Sequence, residues 1–535
     1  MAQLRTVRQD DFTGGLNLRA DQFQLAPNES PKMFNVEIDP RGGVFLRGAM
    51  RRINTAGIAA TWKPKNLFPF YGDSHYLMLS TGTSGATNGG VFYSTGGNFT
   101  SLSIPVGYKY GASFSPWGSK LFIACGPTKV SYKWDGTTAS TLSSAGLANV
   151  WQDSYSTPTV SPEYFPQAAH TITHAGKVFV ANTQENSVLR PNVVRWSHPN
   201  NPTNWASQDY IEINDGGQSI TGLASFGGHL LVFKENAVFA IFGYDSDTFQ
   251  VVEVSRSAGA PTPHAICTTE RGVYFYSPAN GLMFYNGSSV IDVFEPIRPA
   301  ILNNDINSAA VEEVYVSYIN RRIWVSVPYS EVALVTTPTV VFVYDPTVSQ
   351  RGAWLMFGLN GDKGIAGGCT FVSATGDTTH VAAHPSVAEV LEVDIQGNAN
   401  DNIGGTNYSI TSYYRTRWLD AGSYSQRKMF RRPDVVVKQA DVASELTMDI
   451  YVDYEESVKT KSYNVSIPTI SSAMLWGTSY WGVAKWGATN AGSQIVNGRS
   501  IGLAKSIQVE FSGTAGVTWG INSFTLKYNP RKVTK

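Results

Sequence analysis

Short apolar runs, each opened by a polar or glycine turn, recur along the chain up to residue 395. Tyr76-Leu77-Met78-Leu79 follows Ser74-His75, and Leu121-Phe122-Ile123 follows Gly118-Ser119-Lys120. Val178-Phe179-Val180, Leu230-Leu231-Val232-Phe233, Val273-Tyr274-Phe275-Tyr276, Ile323-Trp324-Val325 and Val381-Ala382-Ala383 continue the series. Within about 10 to 20 residues each run meets a second one that ends in a turn. These partners are Val91-Phe92-Tyr93, Tyr132-Lys133-Trp134, Val193-Val194-Arg195-Trp196, Val238 to Phe242, Leu282 to Tyr285, Val341 to Tyr344 and Val390 to Val393. The seven copies start near residues 74, 118, 176, 228, 272, 322 and 380, so they lie 44 to 58 residues apart. A four-stranded propeller blade takes roughly 40 to 50 residues. The apolar period within the runs is that of strands, and Asp135-Gly136 and Asn286-Gly287 are tight-hairpin pairs.

The pattern predicts an all-β protein: a six- or seven-bladed β-propeller over residues 56–395, with an additional C-terminal β-sandwich-like domain at 408–535. Residues 1–55 read as an N-terminal arm with a hairpin, Asn35 to Ile38 and Val44 to Arg47 around Asp39-Pro40-Arg41-Gly42-Gly43. Asn28 to Met33, with Pro31 near its start, reads as a short helix. Residues 396–407, rich in Gly and Asn, read as a linker. Ile297 to Asn307 is a second helix candidate.

Composition narrows the class. Only 15% of the 535 residues are charged, and 41 Lys and Arg balance 41 Asp and Glu. A neutral chain is not a general polyanion binder. Cys125, Cys267 and Cys369 are too few and scattered for a disulfide framework or a zinc cluster. No apolar run approaches the roughly 18 residues of a membrane span. The opening Met-Ala-Gln-Leu-Arg-Thr-Val-Arg lacks the apolar core of a signal peptide. The expectation is a protein made in a cytoplasm, with no stable membrane insertion.

Catalytic and metal signatures are weak. No GxSxG elbow, P-loop or HExxH occurs. His170 and His174 are four apart, as are His380 and His384, but in strand or turn context this reads as structural placement, not a metal site. Asp245 and Asp247 read as a solvated turn before a weak cation site. Ser94 to Thr100 only half resembles a sialidase box and lacks its Asp. The expected assignment is no catalytic residue, no metal and no cofactor. Trp476, Trp481 and Trp486 recur every five residues; a packed, glycine-spaced loop is the expectation over an exposed aromatic surface.

Charge is uneven. Residues 205–314 hold thirteen acids against four bases, a local balance of −9, and residues 411–439 hold seven bases against two acids, +5. Opposite-sign regions in a neutral chain suit subunit docking.

The order of parts resembles the tail nozzle proteins of short-tailed bacteriophages, also called tail tubular protein B or tail hub. The resemblance rests on Phe12-Thr13-Gly14-Gly15-Leu16-Asn17, Asn28-Glu29-Ser30-Pro31, and Asn35 to Val44 with Arg47-Gly48. Arg195-Trp196-Ser197, Pro202-Thr203-Asn204-Trp205, the Trp-Gly series and Trp519-Gly520-Ile521-Asn522-Ser523-Phe524 extend it. It implies a structural, non-enzymatic virion protein of the tail. Six copies would form a ring below portal and adaptor, continue the DNA channel, retain packaged DNA and guide genome ejection. The implied partners are other copies of the chain, the tail adaptor above, tail fibre or spike proteins, and viral DNA passing through the lumen without sequence-specific binding.

A conduit should not grip phosphates, because a basic lumen binds DNA strongly. Asp209, Glu212, Asp215, Asp245 and Asp247 are therefore the expected channel-facing acids. Arg427, Lys428, Arg431 and Arg432 are the expected docking residues toward a neighbour or the adaptor. Two other readings stay open: a propeller adhesin for a host surface glycan or protein, and a glycan hydrolase, which needs paired carboxylates about 5 to 10 Å apart.

Overall fold

A computed structural model describes residues 4–58, 62–83, 87–142, 163–185, 187–214, 217–245, 247–359, 363–438, 444–467, 491–495 (backbone) and 500–531. The Trp476, Trp481 and Trp486 series and Asp215 lie outside the described residues.

Among the described residues, seven sheets follow one another in sequence as the blades of a β-propeller; the seventh includes one parallel pairing, between Ala49–Arg52 and Asn400–Ile403. Blades 1 to 5 are complete four-stranded meanders over Pro64–Val106, Ser113–Thr141, Gln167–Glu212, Ile220–Ser255 and Ile266–Asp292. Blade 6 runs in the order Tyr315–Ile319, Arg322–Val327, Val340–Asp345, Ala353–Phe357. Blade 7 begins Gly368–Val372, Thr378–Ala383, Val390–Ile395 and takes Ala49–Arg52 as its fourth strand; the same sheet continues with Asn400–Ile403 and Thr406–Ser409.

The two apolar runs visible in each repeat are the second and third strands of each blade. These central strands are covered on both faces: His229–Lys234, Gly272–Ser277 and Arg322–Val327 are buried at every position. The innermost strands face the propeller axis and read as mixed, as in Gln167–His174, QAAHTITH, so they carry no clear apolar signal.

By compactness the chain forms two units. One comprises residues 52–341 and 363–393. Its cores lie between successive blades. Phe70, Met78, Phe114, Ile123 and Trp134 pack between blades 1 and 2. Phe122, Phe165, Val180 and Trp205 pack between blades 2 and 3. Phe179, Trp196, Leu230 and Phe239 pack between blades 3 and 4. Leu79, Phe92, Phe371 and Val390 join blade 7 to blade 1 and close the ring.

The other unit comprises residues 1–51, 342–362 and 394–535. Here the expected N-terminal arm and the C-terminal strands form a β-sandwich together. One sheet runs Lys32–Phe34, Tyr413–Arg415, Ile507–Gly513, Ser444–Val452, Lys461–Ile467. The other is built on Gly520–Pro530, which pairs with Arg5–Gln9, Lys428–Phe430, Asp434–Lys438 and the hairpin strand Val44–Leu46. Phe511 of the first sheet meets Phe524 of the second at 5.4 Å between ring centroids. Leu446, Met448, Val435, Val437 and Leu526 are fully buried in this core.

Three local expectations are corrected. Residues 28–33 are not a helix: Glu29–Ser30 pairs with Gly15–Leu16, and Lys32–Phe34 pairs with Tyr413–Arg415. A helix this short makes too few internal hydrogen bonds to compete with a tertiary ladder. Residues 396–407 are not a plain linker, because Gly404 and Gly405, both at positive φ, turn a hairpin between Asn400–Ile403 and Thr406–Ser409. Such Gly-Gly pairs suit tight hairpins. The candidate helix at 297–307 reduces to one turn, Pro299–Leu302.

Candidate functional site

The innermost strands of the propeller enclose an axial cavity of about 520 Å³. Its richest chemistry lies where those strands begin. There each chain segment arrives from the preceding blade, and the incoming loops place side chains at the mouth.

The loop Tyr108-Lys109-Tyr110 precedes the inner strand of blade 2. The turn Pro263–Ala265, capped by Thr262 accepting from the Ala265 N–H at 3.2 Å, precedes that of blade 5 and presents His264. Glu312 and Glu313 precede the inner strand of blade 6, which begins with Tyr315. Lys65 sits near the start of the inner strand of blade 1.

These groups form one network. Lys65 Nζ donates to both oxygens of Glu313, at 2.7 and 2.8 Å, and to the Tyr315 hydroxyl at 2.8 Å. That hydroxyl donates to Glu313 Oε2 at 3.0 Å. Lys109 Nζ donates to Glu312 at 2.5 Å and lies 4.7 Å from the Tyr110 ring centroid. The His264 ring stacks on Tyr315 at 5.2 Å and meets Tyr110 edge-on at 6.0 Å. Tyr108 contacts Tyr110 at 5.3 Å and His170 at 5.8 Å. A smaller cavity of about 250 Å³ shares Lys65 and Tyr110 and adds Trp62, Lys63, Lys109, Glu312 and Glu313.

Burial, reinforced by the Lys65 charge, pushes His264 down to about 3, so its imidazole is neutral. Burial likewise brings His170 down to about 4. The hydrogen bond from Lys109 lowers Glu312 and keeps it ionised. Burial pushes the Cys267 thiol, also on the cavity wall, up to about 12, which leaves it a poor nucleophile. The described residues lining the larger cavity include no Asp or Glu. Among the described residues, no group of three or more His, Cys, Asp or Glu is arranged to hold a metal ion.

The expected acids do not gather here. Asp209 is 2% exposed, and burial raises its carboxyl to about 6. Buried as it is, it does not face a channel; its N–H donates to the Ala206 carbonyl at 3.3 Å in the turn before the outer strand of blade 3. Glu212 lies exposed on that outer strand. Asp245 and Asp247 are exposed in the turn of blade 4 before Gln250–Ser255, where Asp245 accepts from the Thr248 hydroxyl at 2.7 Å. Other acids of the region are paired: Glu253 with Arg256, and Asp292 with Arg298.

Of the expected docking residues, Arg427, Arg431 and Arg432 are exposed. Lys428 is 1% exposed; its ammonium donates to the Ser423, Gln426 and Lys505 carbonyls and holds loops together instead of meeting a partner. Strand pairing brings Lys505 and Arg531, both exposed, beside the arginines. Sequence distance hid both. The paired histidines are structural: His170 bonds the Ile220 carbonyl, His174 the Ser225 hydroxyl, His380 the Thr370 hydroxyl, and His384 the Ser386 and Val387 N–H groups. Ser94 Oγ accepts from the Gly96 and Gly97 N–H groups, so the half-formed sialidase box is a tight turn.

The residues that carry the family resemblance are also structural. Gly15, at φ +68°, leaves no room for a side chain: a Cβ there would lie 2.6 Å from the Trp354 carbonyl oxygen. Asn35, Arg47 and Gly48 meet in one buried hydrogen-bonded cluster. Arg195 is held by Glu185, Trp196 packs on Phe249 at 4.7 Å, and the Trp519 indole N–H donates to Ser412 at 2.8 Å.

No protein-family model matches the chain, and no curated protein sequence does. Solved structures that resemble it include YCF48 bound to D1 peptide, at a TM-score of 0.38 and 10% identity over 63% of this chain and 94% of that one. BamB from Moraxella catarrhalis matches at 0.34 and 12% identity, over 73% of this chain and 98% of its own. Apo AztD from Citrobacter koseri matches at 0.31 and 9% identity, over 56% and 87%.

Proposed function

We propose that this chain is a non-enzymatic structural protein of a phage virion tail, of the nozzle kind, acting as one subunit of a six-fold ring through which DNA leaves. The observation that carries the reading is the distribution of exposed large apolar side chains on the propeller. Val188, Leu189, Tyr244, Leu302, Val332 and Leu334 are each more than half exposed, and all lie on blades 3 to 6 and their connections. From residue 52 to 187, by contrast, Tyr71 is the single exposed large apolar residue among those described. Apolar surface concentrated on one arc marks an interaction surface. It coincides with the acidic region, while the exposed arginines 427, 431 and 432 supply a complement of opposite sign. Two different complementary patches on one chain build a heterologous contact, which forms a ring when its rotation closes and an open filament when it does not.

In this reading the DNA path lies between copies. The axial cavity of a single propeller, about 520 Å³ and lined by Tyr108, Tyr110 and His264, does not admit a duplex whose major groove alone is about 12 Å wide. The tail adaptor above, fibre or spike proteins, and DNA that slides past without specific contacts remain the proposed partners. A hydrolase reading gains no support from a cavity whose nearest carboxylates, Glu312 and Glu313, are both held by lysines.

Mass photometry and electron microscopy of the purified chain, alone and with the adaptor, test the proposal. A six-fold ring with a hole wide enough for a duplex supports it, and a monomer under both conditions overturns it.

A further inference from the structure

One strand edge of the propeller lacks the devices that keep such edges from pairing. An outermost strand presents unpaired N–H and C=O groups, and folded proteins blunt it by shortening, proline, lysine, bulges or a cover. Among the described residues, the outer strands of blades 2, 3 and 5 are only three residues long. That of blade 1, Thr100–Val106, carries Pro105, an irregular register against Gly90 and Phe92, and Ser103 at φ +56°. That of blade 6, Ala353–Phe357, is buried at four of its five positions. The sheet of blade 7 ends on the short strand Thr406–Ser409.

Blade 4 is open. Its outer strand Gln250–Ser255, QVVEVS, holds neither proline nor lysine and pairs only with Val238–Phe242 among the described strands. The register is regular from Gln250 to Glu253 and shifts only at Val254. All four of those regular positions are exposed. Val251 and Val252 point to opposite faces and are 42% and 46% exposed, so neither face of this edge is covered.

The chain also carries an edge of opposite charge. Arg5–Gln9, RTVRQ, pairs only with Gly520–Pro530, which leaves its other side open among the described strands. Arg5, Thr6 and Arg8 are exposed. Residues 245–256, around the blade 4 edge, hold Asp245, Asp247 and Glu253 against Arg256 alone. The existing pairs Arg8–Asp10 and Arg256–Glu253 are both exposed, so exchanging them costs little. The longer edge strand Lys461–Ile467 carries a single base and is the poorer complement.

The two edges match in detail. An antiparallel alignment with Arg5 opposite Glu253 sets Thr6 against Val252, Val7 against Val251 and Arg8 against Gln250. It makes one opposite-charge pair and two β-branched pairs, which are the kinds that stabilise neighbouring strands, and no like charges meet.

We propose that Arg5–Gln9 of one copy of the chain adds as a fifth strand to the outer edge of blade 4 in the next copy. Main-chain hydrogen bonds give this contact its strength, and the charge pair sets its register. The inference rests on the self-association proposed above, but it uses other residues than the arginines at 427, 431 and 432.

Cross-linking tests it. Full-length chains carrying Thr6→Cys or Val252→Cys are mixed where the parent assembles and are oxidised mildly. The expected result is a covalent dimer from the mixture and not from either chain alone; the single samples also control for the native cysteines. In mass photometry, Arg5→Glu and Glu253→Arg should each weaken assembly about threefold or more, with melting temperatures unchanged. Both changes in one chain reverse the pair and should restore assembly. Val252→Lys, which supplies the missing edge charge, should weaken it again. A parent that assembles with no excess of dimer in the mixture overturns this contact and leaves the ring reading standing, as does assembly that survives both single charge reversals. A parent that stays monomeric overturns this contact and the ring reading together.

Discussion

Arg47 and Asp401, 354 residues apart in sequence, form a two-pronged ion pair at 2.7 and 3.0 Å, with each side chain 1% exposed. The guanidinium also donates to Asn35 Oδ1 and to the Gly48 and Gly358 carbonyls, so five hydrogen bonds use its five N–H groups. Asp401 Oδ1 accepts the Met50 N–H as well. Three separate stretches of chain are thus tied at one point. Removing one partner leaves a buried charge uncompensated. Asp401→Asn or Arg47→Met should lower stability by about 3–5 kcal/mol. Joint replacement by apolar residues, Arg47→Met with Asp401→Leu, should recover part of that loss. Urea denaturation of the three variants checks both expectations.

Gly15 supplies the second prediction. Its φ of +68° and the 2.6 Å approach of the Trp354 carbonyl oxygen make Gly15→Ala strained and crowded at once. A loss of at least about 1–3 kcal/mol is expected from the backbone conformation alone. Gly97→Ala is the control: nothing lies within 4 Å of its Cβ position, and its stability should change by no more than about 0.5 kcal/mol. Thermal melts of the two variants decide the comparison.

The buried Asp209 predicts a pH dependence. Its carboxyl titrates near 6, above its ordinary value of 3.8, because burial disfavours the anion, and Oδ2 has no partner among the described residues. A raised folded-state value means the folded protein holds the proton more tightly. This group therefore favours folding at low pH, and its contribution falls as pH rises from about 4 to about 6. Asp209→Asn removes that dependence. The variant should be more stable than the parent at pH 7 by about 1–2 kcal/mol, since its amide still lacks a partner, and the difference should vanish below about pH 4. Unfolding curves of both proteins across that range measure the difference directly, with all other groups cancelling.

How much of this was legible in the sequence depends on which face of a strand each residue covers. The second and third strands of each blade, such as His229–Lys234, are buried on both sides and stand out as apolar runs. The innermost strands line the axial cavity and the outer ones meet solvent, so Ser113–Trp117 and Ala139–Thr141 carry no comparable signal. The axial site was illegible for a related reason. Lys65, Tyr110, His264 and Glu313 come from four different blades and converge through ring closure, which no local pattern records. The charge counts misled where burial intervened: Asp209 and Lys428 look in sequence like their exposed neighbours, yet each is buried by its turn or its carbonyl partners.

That contrast between Lys428 and the arginines beside it gives the last prediction. Lys428 donates to three loop carbonyls, two of them at 3.0 and 2.9 Å, so Lys428→Met should cost about 2–3 kcal/mol in stability. Arg431 and Arg432 are exposed, so Arg431→Glu with Arg432→Glu should leave the melting temperature nearly unchanged. The double variant instead reverses the local charge that the proposed subunit contact uses. Its assembly should weaken relative to the parent, and raising the salt concentration should narrow the gap, because screened exposed charges matter less. Mass photometry at low and high salt reads the two effects separately from folding. An unchanged assembly in the double variant would remove the arginines from the interface and leave the apolar arc of blades 3 to 6 as the contact to test, beginning with Tyr244 and Leu334.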